Sequence, residues 1–321
     1  MSGVSVILPV LNEEEDLSNA VGAILSQEYL GEMEIILAVG PSKDKTLEVA
    51  RKLSAQDSRV IVIENPTGRT AAGLNLAIAH SKFSIIIRVD GHAEIPSDYI
   101  ALAVEILTQT KAVNVGGIMG AVGKTPFEKS VARAMRSPLG VGASSFHTGG
   151  GAGAVDTVYL GCFLKSALLA VGGFDEEFTR AQDWELNYRL RRAGGTVYFD
   201  PRLHVTYRPR PTLRALAKQY FEYGRWRRVV MRRHQGTVNL RYLAPPLALI
   251  GASVSLVAGS IISPILFIPA GIYSAFLITS SIALGQSIDE KLRLPAILLT
   301  MQMSWGAGFL TSPRKLAAQR H

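Results

Sequence analysis

Short apolar runs alternate with amphipathic segments over the first ninety residues of the chain. The apolar runs, rich in Val and Ile, lie at 4–10, 34–39, 60–63 and 83–89. Apolar positions at helical spacing follow the first three runs, at 17–25, 46–55 and 71–80. Uninterrupted β-branched runs are typical of strands that are buried on both faces. The alternation of such strands with helices predicts an α/β fold built on a parallel, doubly wound sheet.

Beyond residue 90 the pattern is less regular. We predict helices at 98–108, 182–194 and 213–233, and strands at 112–119, 155–163, 197–199 and 204–207. Residues 139–154 are rich in Gly and Ser and are predicted to be a mobile loop.

The last third of the chain changes character. Between residues 243 and 286 there is no charged side chain, whereas 202–241 is rich in arginine, with Glu222 as its one carboxylate. Apolar runs of about the length that spans a bilayer lie at 243–262, 265–284 and 294–310. We therefore predict a domain at 1–235 and a membrane-associated helical region of two or three segments at 236–321.

Charge at the ends of the apolar region predicts its orientation. The arginines before residue 243 place that end on the cytoplasmic face of the membrane. Three full spans would put Arg314, Lys315 and Arg320 on the opposite side, against the positive-inside rule. A hairpin followed by an interfacial or re-entrant segment would keep these charges inside, so the number of spans stays open.

The composition limits the classes of molecule that the protein is expected to bind. The chain of 321 residues has 34 Lys and Arg against 26 Asp and Glu, a net charge of +8. This excess suits nucleic acid, anionic lipid or a phosphorylated substrate, but no recognisable nucleic-acid module accompanies it. The single cysteine, Cys162, excludes an intrachain disulfide and is expected to be a small buried residue.

Two places in the chain combine residues capable of chemistry. Asp90-Gly91-His92 directly follows the apolar run at 83–89, and ligand sites of open α/β sheets lie at the carboxyl ends of their strands. Asp90 and His92 could share a cation, or the segment could be an ordinary Asp-Gly turn. Asp183 lies where a helix begins, so its carboxylate could act as a general base or as a helix cap.

Several short motifs occur together and in order between residues 3 and 235. They are VILPVLNE at 6–13, GPSKDKT at 40–46, GRTAAGLN at 68–75, DGHA at 90–93, GGFD at 172–175, QDWELN at 182–187 and YGRW at 223–226. On this ordered set the chain resembles the inverting family 2 glycosyltransferases of GT-A fold. The resemblance is strongest to the succinoglycan-biosynthesis type, membrane-associated enzymes of exopolysaccharide assembly.

The resemblance implies a site, residue by residue. Pro9, Leu11, Asn12 and Glu13 would line the base and ribose of a nucleotide-sugar donor, and Asp44 would bind the uracil edge of a UDP-sugar. Arg69 would lie near the base or diphosphate. Asp90 and His92 would hold Mn²⁺ or Mg²⁺ on the diphosphate, and Asp183 would be the catalytic base.

The chain departs from the family pattern at three positions. His92 replaces the second aspartate of the DxD motif, and imidazole is a suitable ligand for Mn²⁺. Gln182 stands where many members have Glu. Glu222 replaces the Gln of the QxxRW signature of processive synthases, which weakens an expectation of processive polymer synthesis. Whether His204 or the arginines between Arg208 and Arg228 touch the diphosphate stays open.

The resemblance implies a metal-dependent transfer of a sugar from a UDP-sugar to a lipid-linked or saccharide acceptor. The enzyme would be held at the cytoplasmic face of the membrane by its C-terminal helices, in contact with membrane lipids and without nucleic acid. The alternative is a non-catalytic membrane protein of the same fold that scaffolds a polysaccharide assembly complex.

Overall fold

The computed structural model describes residues 2–314 and residue 316, and these residues form two compact units. The first unit consists of residues 2–120 and 149–207, and the second of residues 121–148 and 208–316 as far as they are described. Neither junction coincides with the predicted domain boundary between residues 235 and 236. That boundary stays a prediction about domain organisation.

Eight strands form one sheet in the order β3-β2-β1-β4-β7-β5-β8-β6. The strands in chain order are β1 (Val4–Val10), β2 (Met33–Val39), β3 (Val60–Glu64), β4 (Ile85–Arg88), β5 (Asn114–Ala121), β6 (Gly153–Ala154), β7 (Tyr159–Leu164) and β8 (Val197–Tyr207).

The sheet is mixed. Strands β1 to β4 are mutually parallel, as the alternating pattern predicts, with Val10 opposite Val39 and Ile7 opposite Arg88. Strand β7 runs antiparallel to both β4 and β5, and β6 runs antiparallel to β8. The prediction of a parallel sheet is therefore correct for the first half alone. In the second half, β7 lies between β4 and β5 and runs opposite to both, although helices separate it from each of them in the chain.

The helices are numbered in chain order. They are α1 (Leu17–Leu25), α2 (Thr46–Gln56), α3 (Thr70–His80), α4 (Tyr99–Thr110), α5 (Pro126–Met135), α6 (Pro138–Val141), α7 (Ser145–Thr148), α8 (Lys165–Ala170), α9 (Gln182–Arg192), α10 (Leu213–Arg233), α11 (Leu240–Ile261), α12 (Ile268–Leu284) and α13 (Ile288–Thr311), with a 3₁₀ turn at Pro264–Phe267.

Two predicted elements differ from the structure. Residues 139–154 are not a featureless loop, because α6 ends and α7 lies within them, and the side chain of Ser137 accepts the Leu139 N–H at 3.2 Å. The two strands predicted at 197–199 and 204–207 are one strand, β8. Asp200 and Arg202 on either side of Pro201 form an ion pair of 2.8 Å, which gives this polar interruption a partner within the strand.

The core of the first unit lies between the sheet and its helices. Val6 and Leu8 of β1, Ile35 and Leu37 of β2 and Ile87 of β4 are all fully buried in one hydrophobic cluster. Cys162 of β7 is also fully buried there, which confirms its expected role as a small core residue. Burial raises the pKa of its thiol, so the sulfur stays protonated and unreactive at neutral pH.

The second unit contains the apolar tail. In the part of the chain that the structure describes, two helices are long and apolar enough to cross a membrane, Leu240–Ile261 and Pro264–Leu284. They carry exposed apolar side chains, for example Val254 at 60 % and Ile272 at 66 % exposure. Lys315 and Arg320, on which the predicted orientation partly depends, lie outside the described residues.

The third apolar run, 294–310, belongs to the longer helix α13, which begins with Asp289 and Glu290. Several of its apolar side chains are buried within the second unit: Leu294, Ile297, Leu298, Met301 and Phe309. Two of the three predicted runs thus meet the length and composition of a membrane span, and the third is a helix with one face covered by protein.

Helices α10 and α13 pack closely at two glycines. A Cβ atom at Gly224 would lie 2.0 Å from the Trp305 carbonyl oxygen, and one at Gly308 would lie 2.0 Å from the Phe221 carbonyl oxygen. The glycine of the Tyr223-Gly224-Arg225-Trp226 motif therefore serves helix packing. Trp226, 2 % exposed, is part of the same buried region.

Candidate active site

The carboxyl ends of three parallel strands bring the first group of predicted residues together. Strands β1, β2 and β4 are neighbours, and parallel strands end at the same edge of a sheet. Asn12 and Glu13 follow β1, Asp44 follows β2 and Asp90 follows β4. These four residues therefore follow strands that end at one edge of the sheet.

The loops after β1 and β2 are joined by reciprocal hydrogen bonds. The backbone N–H of Asn12 donates to Ser42 Oγ at 3.0 Å, and Asn12 Oδ1 accepts the Lys43 N–H at 2.8 Å. The N–H of Glu13 donates to Thr46 Oγ1 at 2.8 Å. Asn12 has φ 56°, a left-handed conformation that asparagine tolerates better than most residues. The two loops are therefore one rigid surface.

Pro9 and Leu11 lie at the carboxyl end of β1, beside the loops after β2 and β3. Pro9 lies within β1 opposite Ala38, one residue before the strand ends, and has no N–H to donate. A Cβ atom on Gly40 would lie 3.0 Å from Leu11 Cδ1 and 3.0 Å from Gly68 Cα, so the loops after β2 and β3 approach closely there. Bulkier residues in place of these glycines would separate the loops.

Asp44 is ionised and held in place. Its Oδ1 accepts the Thr46 N–H at 3.1 Å and the Thr46 hydroxyl, and its Oδ2 accepts the Glu14 N–H at 3.2 Å. These hydrogen bonds, that from the Thr46 hydroxyl first, lower the pKa of Asp44. An exposed carboxylate fixed in this way can accept further N–H groups, such as those of a nucleobase edge.

Arg69 contacts the loop that precedes α9. Its Nη1 donates to the Glu176 carbonyl oxygen at 3.1 Å. In α3, Asn75 Nδ2 donates to the Phe174 carbonyl oxygen at 2.8 Å, and Asn75 Oδ1 accepts the Phe174 N–H at 2.8 Å. Gly173 has φ +72°, and a Cβ atom there would lie 2.5 Å from Asn75 Oδ1. The GGFD turn is thus fixed to α3 by its backbone.

Asp90 and His92 contact different partners. Asp90 Oδ1 accepts from Nε and Nη2 of Arg88 at 3.1 and 2.9 Å. His92 Nδ1 lies 2.8 Å from Glu13 Oε1. Gly91 between them lies against Glu13, since a Cβ atom on Gly91 would be 3.2 Å from Glu13 Cγ.

This donor set fits a cation that is shared with a substrate. Among the described residues no group of three or more His, Cys, Asp or Glu side chains is arranged to hold a metal ion. One carboxylate and one imidazole suit Mn²⁺, whereas Mg²⁺ and Mn²⁺ sites commonly take the remaining ligands from phosphate oxygens and water. The carboxylate of Glu13 on Nδ1 of His92 is the kind of partner that metal-binding histidines usually have.

Asp183 is not the cap of its helix. Helix α9 begins at Gln182, and the N-cap residue is Ala181 in a left-handed conformation with no side-chain cap. The Asp183 carboxylate instead contacts Nη1 of Arg88 through Oδ1. Of the two interpretations left open by the sequence, the structure removes the simple helix cap.

Buried polar contacts hold α9 and therefore Asp183 in place. Asn187 Oδ1 accepts from Asn114 Nδ2 of β5 at 2.7 Å, and Asn187 Nδ2 donates to Thr157 Oγ1 at 2.9 Å. Arg189 contacts both carboxylate oxygens of Glu185 and the Val171 carbonyl oxygen. The contacts of Asn187 and the contact of Arg189 with Val171 join α9 to other parts of the chain, whereas the Glu185–Arg189 pair lies within α9.

The electrostatics of Asp183 suit a base that works near neutral pH. Burial raises the pKa of Asp183 to about 6, the charge of Arg88 opposes this shift and the charge of Asp90 adds to it. A carboxyl group with a pKa near the working pH combines a useful ionised fraction with appreciable basicity. The arrangement can therefore accept a proton from a hydroxyl group.

Arg88 and Tyr159 belong to the site but were missed by the sequence reasoning. Arg88 is the last residue of β4, and its side chain is 6 % exposed. Tyr159 of β7 is close enough to Arg88, Asp90 and Asp183 to feel their charges, and burial raises its pKa well above the ordinary value. A charged residue at the end of an Ile-Ile-Ile run was the available signal for Arg88, since a buried guanidinium needs carboxylate partners.

The basic residues left open in the sequence have partners of their own. His204 packs on β5, since a Cβ atom at Gly120 would lie 2.1 Å from its Nε2. In the second unit, Arg208 Nη1 donates to the Val122 carbonyl oxygen at 3.2 Å, and Arg225 pairs with Glu222 at 2.8 Å. Arg228 lies over the Phe309 ring at 4.7 Å.

The mixed sheet, with acidic side chains at the carboxyl edge of its parallel strands, has the architecture of the GT-A fold. The family model "Glycosyl transferase family 2" matches residues 5–156, and the chain belongs to this family. The succinoglycan biosynthesis protein ExoA of Rhizobium meliloti (strain 1021) is 31 % identical over 308 residues, which is 95 % of this chain and 93 % of that protein. The predicted family and its succinoglycan-type branch are thereby confirmed.

Further relatives agree with this assignment. A dolichyl N-acetyl-alpha-D-glucosaminyl phosphate 3-beta-D-2,3-diacetamido-2,3-dideoxy-beta-D-glucuronosyltransferase of Methanococcus voltae is 25 % identical over 76 % of this chain and 78 % of its own. The mannosyltransferase PcManGT from Pyrobaculum calidifontis, solved in complex with GDP-Man and Mn²⁺, superposes with a TM-score of 0.66 at 19 % identity, covering 96 % of this chain and 86 % of its own. S. aureus TarS in complex with UDP gives 0.52 at 14 % identity, covering 96 % and 90 %. These two structures support the fold alone.

Proposed function

We propose that this glycosyltransferase moves a sugar from a UDP-sugar to a lipid-linked or saccharide acceptor, with inversion at the anomeric carbon. The proposal rests on two carboxylates that contact the same guanidinium, since Asp90 and Asp183 both pair with Arg88. We place Asp90 beside the donor and Asp183 beside the acceptor. Exopolysaccharide or other cell-envelope glycan synthesis is the process in which the relatives' names place such enzymes.

The donor is proposed to lie on the joined loops after β1 and β2. Pro9, Leu11, Asn12 and Glu13 would line the base and ribose, and the fixed carboxylate of Asp44 would accept the N–H of the uracil edge. Arg69 would then be near the diphosphate or base from the neighbouring loop. A guanine edge also presents N–H groups to a carboxylate, so the same geometry makes a GDP-sugar the comparison donor.

A divalent cation is proposed to be held by Asp90 and His92 together with the donor diphosphate. When bound, Mn²⁺ or Mg²⁺ supplies charge neutralisation for the leaving nucleoside diphosphate. Glu13, in contact with Nδ1, would fix the orientation of the His92 imidazole for this role.

The bond changes need one base. Asp183 accepts the proton of the acceptor hydroxyl while the hydroxyl oxygen bonds to the anomeric carbon. The bond from that carbon to the diphosphate oxygen breaks, and its electron pair leaves with the nucleoside diphosphate. A single displacement inverts the anomeric carbon and needs no carboxylate as covalent nucleophile, unlike a retaining glycosidase.

The membrane is the proposed location of the acceptor. Helices α11 and α12 expose apolar side chains, and arginines such as Arg232, Arg233 and Arg241 precede or begin the first of them. Excess positive charge at that end favours the cytoplasmic face and contact with anionic lipid. The Methanococcus voltae relative carries a dolichyl phosphate in its name, which supports a lipid-linked acceptor. In this arrangement residues 1–235 form the catalytic domain and 236–321 the membrane-associated region.

The test uses the full chain in lipid nanodiscs. Release of nucleoside diphosphate from UDP-glucose, UDP-galactose and GDP-mannose is measured with Mn²⁺, with Mg²⁺ and with a chelator. Metal-dependent release from a UDP-sugar that increases when lipid-linked acceptor is added supports the proposal. If the enzyme preferred GDP-mannose, the proposed UDP-sugar donor would be wrong. If no nucleoside diphosphate were released from any donor, the result would favour the non-catalytic scaffold.

A further inference from the structure

The bond changes described above give no role to one buried residue, the arginine at the end of strand β4. Arg88 follows Ile85, Ile86 and Ile87 in β4, and 6 % of its side chain is exposed. Taking a guanidinium out of water is costly unless its N–H groups are paired with carboxylates in good geometry. Burial alone would lower the pKa of Arg88, but Asp183 and Asp90 together raise it, so the side chain is charged.

The guanidinium is divided between two carboxylates. Nε and Nη2 donate to Oδ1 of Asp90 at 3.1 and 2.9 Å, and Nη1 donates to Oδ1 of Asp183. Because the guanidinium is planar and rigid, these contacts determine the separation and the relative orientation of the two carboxylates. Lysine, with a single flexible ammonium group, has the same charge but lacks this rigid fork.

A second arginine of the same unit shows what a purely structural pair looks like. Arg189 donates to both oxygens of Glu185, at 2.9 Å to Oε1 and 2.7 Å to Oε2, and Glu185 has a 1 % exposed side chain. Arg88 instead occupies one oxygen of each aspartate. Oδ2 of Asp90 and Oδ2 of Asp183 accept no hydrogen bond from the described residues, and 19 % and 28 % of these side chains stay exposed.

We propose that Arg88 is a positioning residue that sets the acceptor-side base Asp183 against the donor-side ligand Asp90. This inference rests on the proposed function, because it assigns the two free oxygens to the two substrates. Arg88 contacts neither substrate in this role. It acts by holding Oδ2 of Asp183 where an acceptor hydroxyl would meet the anomeric carbon of a donor held at Asp90.

The main experiment compares Arg88→Lys with the control Arg202→Lys in the full chain, since Arg202 also pairs with both oxygens of a buried aspartate, Asp200. Binding of UDP with Mn²⁺ is measured by calorimetry, and single-turnover transfer is measured at saturating donor and acceptor. We expect Arg88→Lys to bind UDP and Mn²⁺ within about 3-fold of wild type and to transfer about 10²-fold more slowly, the cost of misplacing a reacting group. Arg202→Lys should leave both the affinity for UDP and the transfer rate unchanged, because the Asp200–Arg202 pair lies within β8 and holds neither proposed site carboxylate.

A double variant separates positioning from a general loss of folding. If Arg88 acts through Asp183, adding Arg88→Lys to Asp183→Asn should slow transfer little further, because residues that act as a unit are not additive. Independent, multiplying losses, or a normal rate per folded molecule in Arg88→Lys, would overturn the proposal.

Melting temperatures test the coupling through Arg88 even if no donor is turned over and the proposed function is wrong. Asp183→Asn should lower the melting temperature of the wild-type chain, since it removes a partner of Arg88. The same substitution should raise the melting temperature of Arg88→Met, where two carboxylates without a counter-charge repel each other. If Asp183→Asn shifted the melting temperature in the same direction in the wild-type chain and in the Arg88 variant, Arg88 would not couple the two aspartates. Arg88→Gln, which also removes the counter-charge, replaces Arg88→Met as the background if the latter does not fold.

Discussion

The imidazole Nδ1 of His92 lies 2.8 Å from Oε1 of Glu13, a residue 79 positions earlier in the chain. This contact joins the loop after β1 to the loop after β4, two neighbouring parallel strands. It gives Glu13 a role beyond lining a nucleotide, because the partner on Nδ1 decides which nitrogen of His92 is available to a cation.

We predict that Glu13→Ala weakens Mn²⁺-dependent UDP binding by about 10-fold or more, the usual cost of removing such a partner. Glu13→Gln keeps an oxygen that can accept the Nδ1 hydrogen bond and should lose less. Titration of Mn²⁺ into the UDP-saturated protein measures both. Glu14→Gln serves as the control, and equal affinity in Glu13→Ala and wild type would contradict the assignment.

We predict that Asp183→Asn leaves the affinity for UDP near wild type but slows the chemical step by roughly 10²–10⁴-fold, the range for a positioned base. Asparagine keeps the size of the side chain but cannot accept the acceptor's proton. Single-turnover transfer and a UDP titration of the same variant give the two numbers. Near-normal turnover would remove Asp183 from the mechanism.

The pH dependence of transfer should show the raised pKa of Asp183. The base works when ionised, and burial raises the pKa of its carboxyl to about 6. We therefore expect kcat/KM to fall as the pH drops below 6 and to level off above 7. The same shift means that the folded chain binds this proton more tightly than the unfolded chain does. Asp183 alone thus makes the fold less stable as the pH rises from its ordinary pKa to about 6.

UDP binding at each pH is the control for that profile. An unchanged UDP affinity with a falling rate assigns the titration to the chemical step. A rate that stays flat between pH 5 and 8 would be incompatible with Asp183 as the base.

We predict that Gly308→Ala destabilises the second unit by about 1–3 kcal/mol, the usual cost of overpacking. The added methyl group would meet the Phe221 carbonyl oxygen at 2.0 Å, and backbone atoms cannot move aside as a flexible side chain can. Thermal unfolding in nanodiscs measures the change. Gly251→Ala, at a helical glycine with no heavy atom within 4 Å, should be neutral or slightly stabilising.

The sequence by itself determined the elements whose side-chain pattern is local. The Val and Ile runs of β1, β2 and β4 predicted buried strands, and Asp90, directly after β4, was predicted at the carboxyl end of its strand. The ordered motifs led to the family, and the uncharged stretch after residue 243 predicted two of the apolar helices that the structure contains.

The tertiary structure alone decided what pairs across long separations in the chain. Arg88 and Asp183 are 95 positions apart, and no periodicity indicates that the charge at the end of an isoleucine run pairs with a residue of α9. Strand β7 turned the second half of the sheet antiparallel, because strand pairing depends on partners distant in the sequence. The third apolar run became a helix covered on one face, since Gly224 and Gly308 allow α10 and α13 to approach. Hydropathy measures how apolar a segment is, and only packing decides whether protein or lipid covers it.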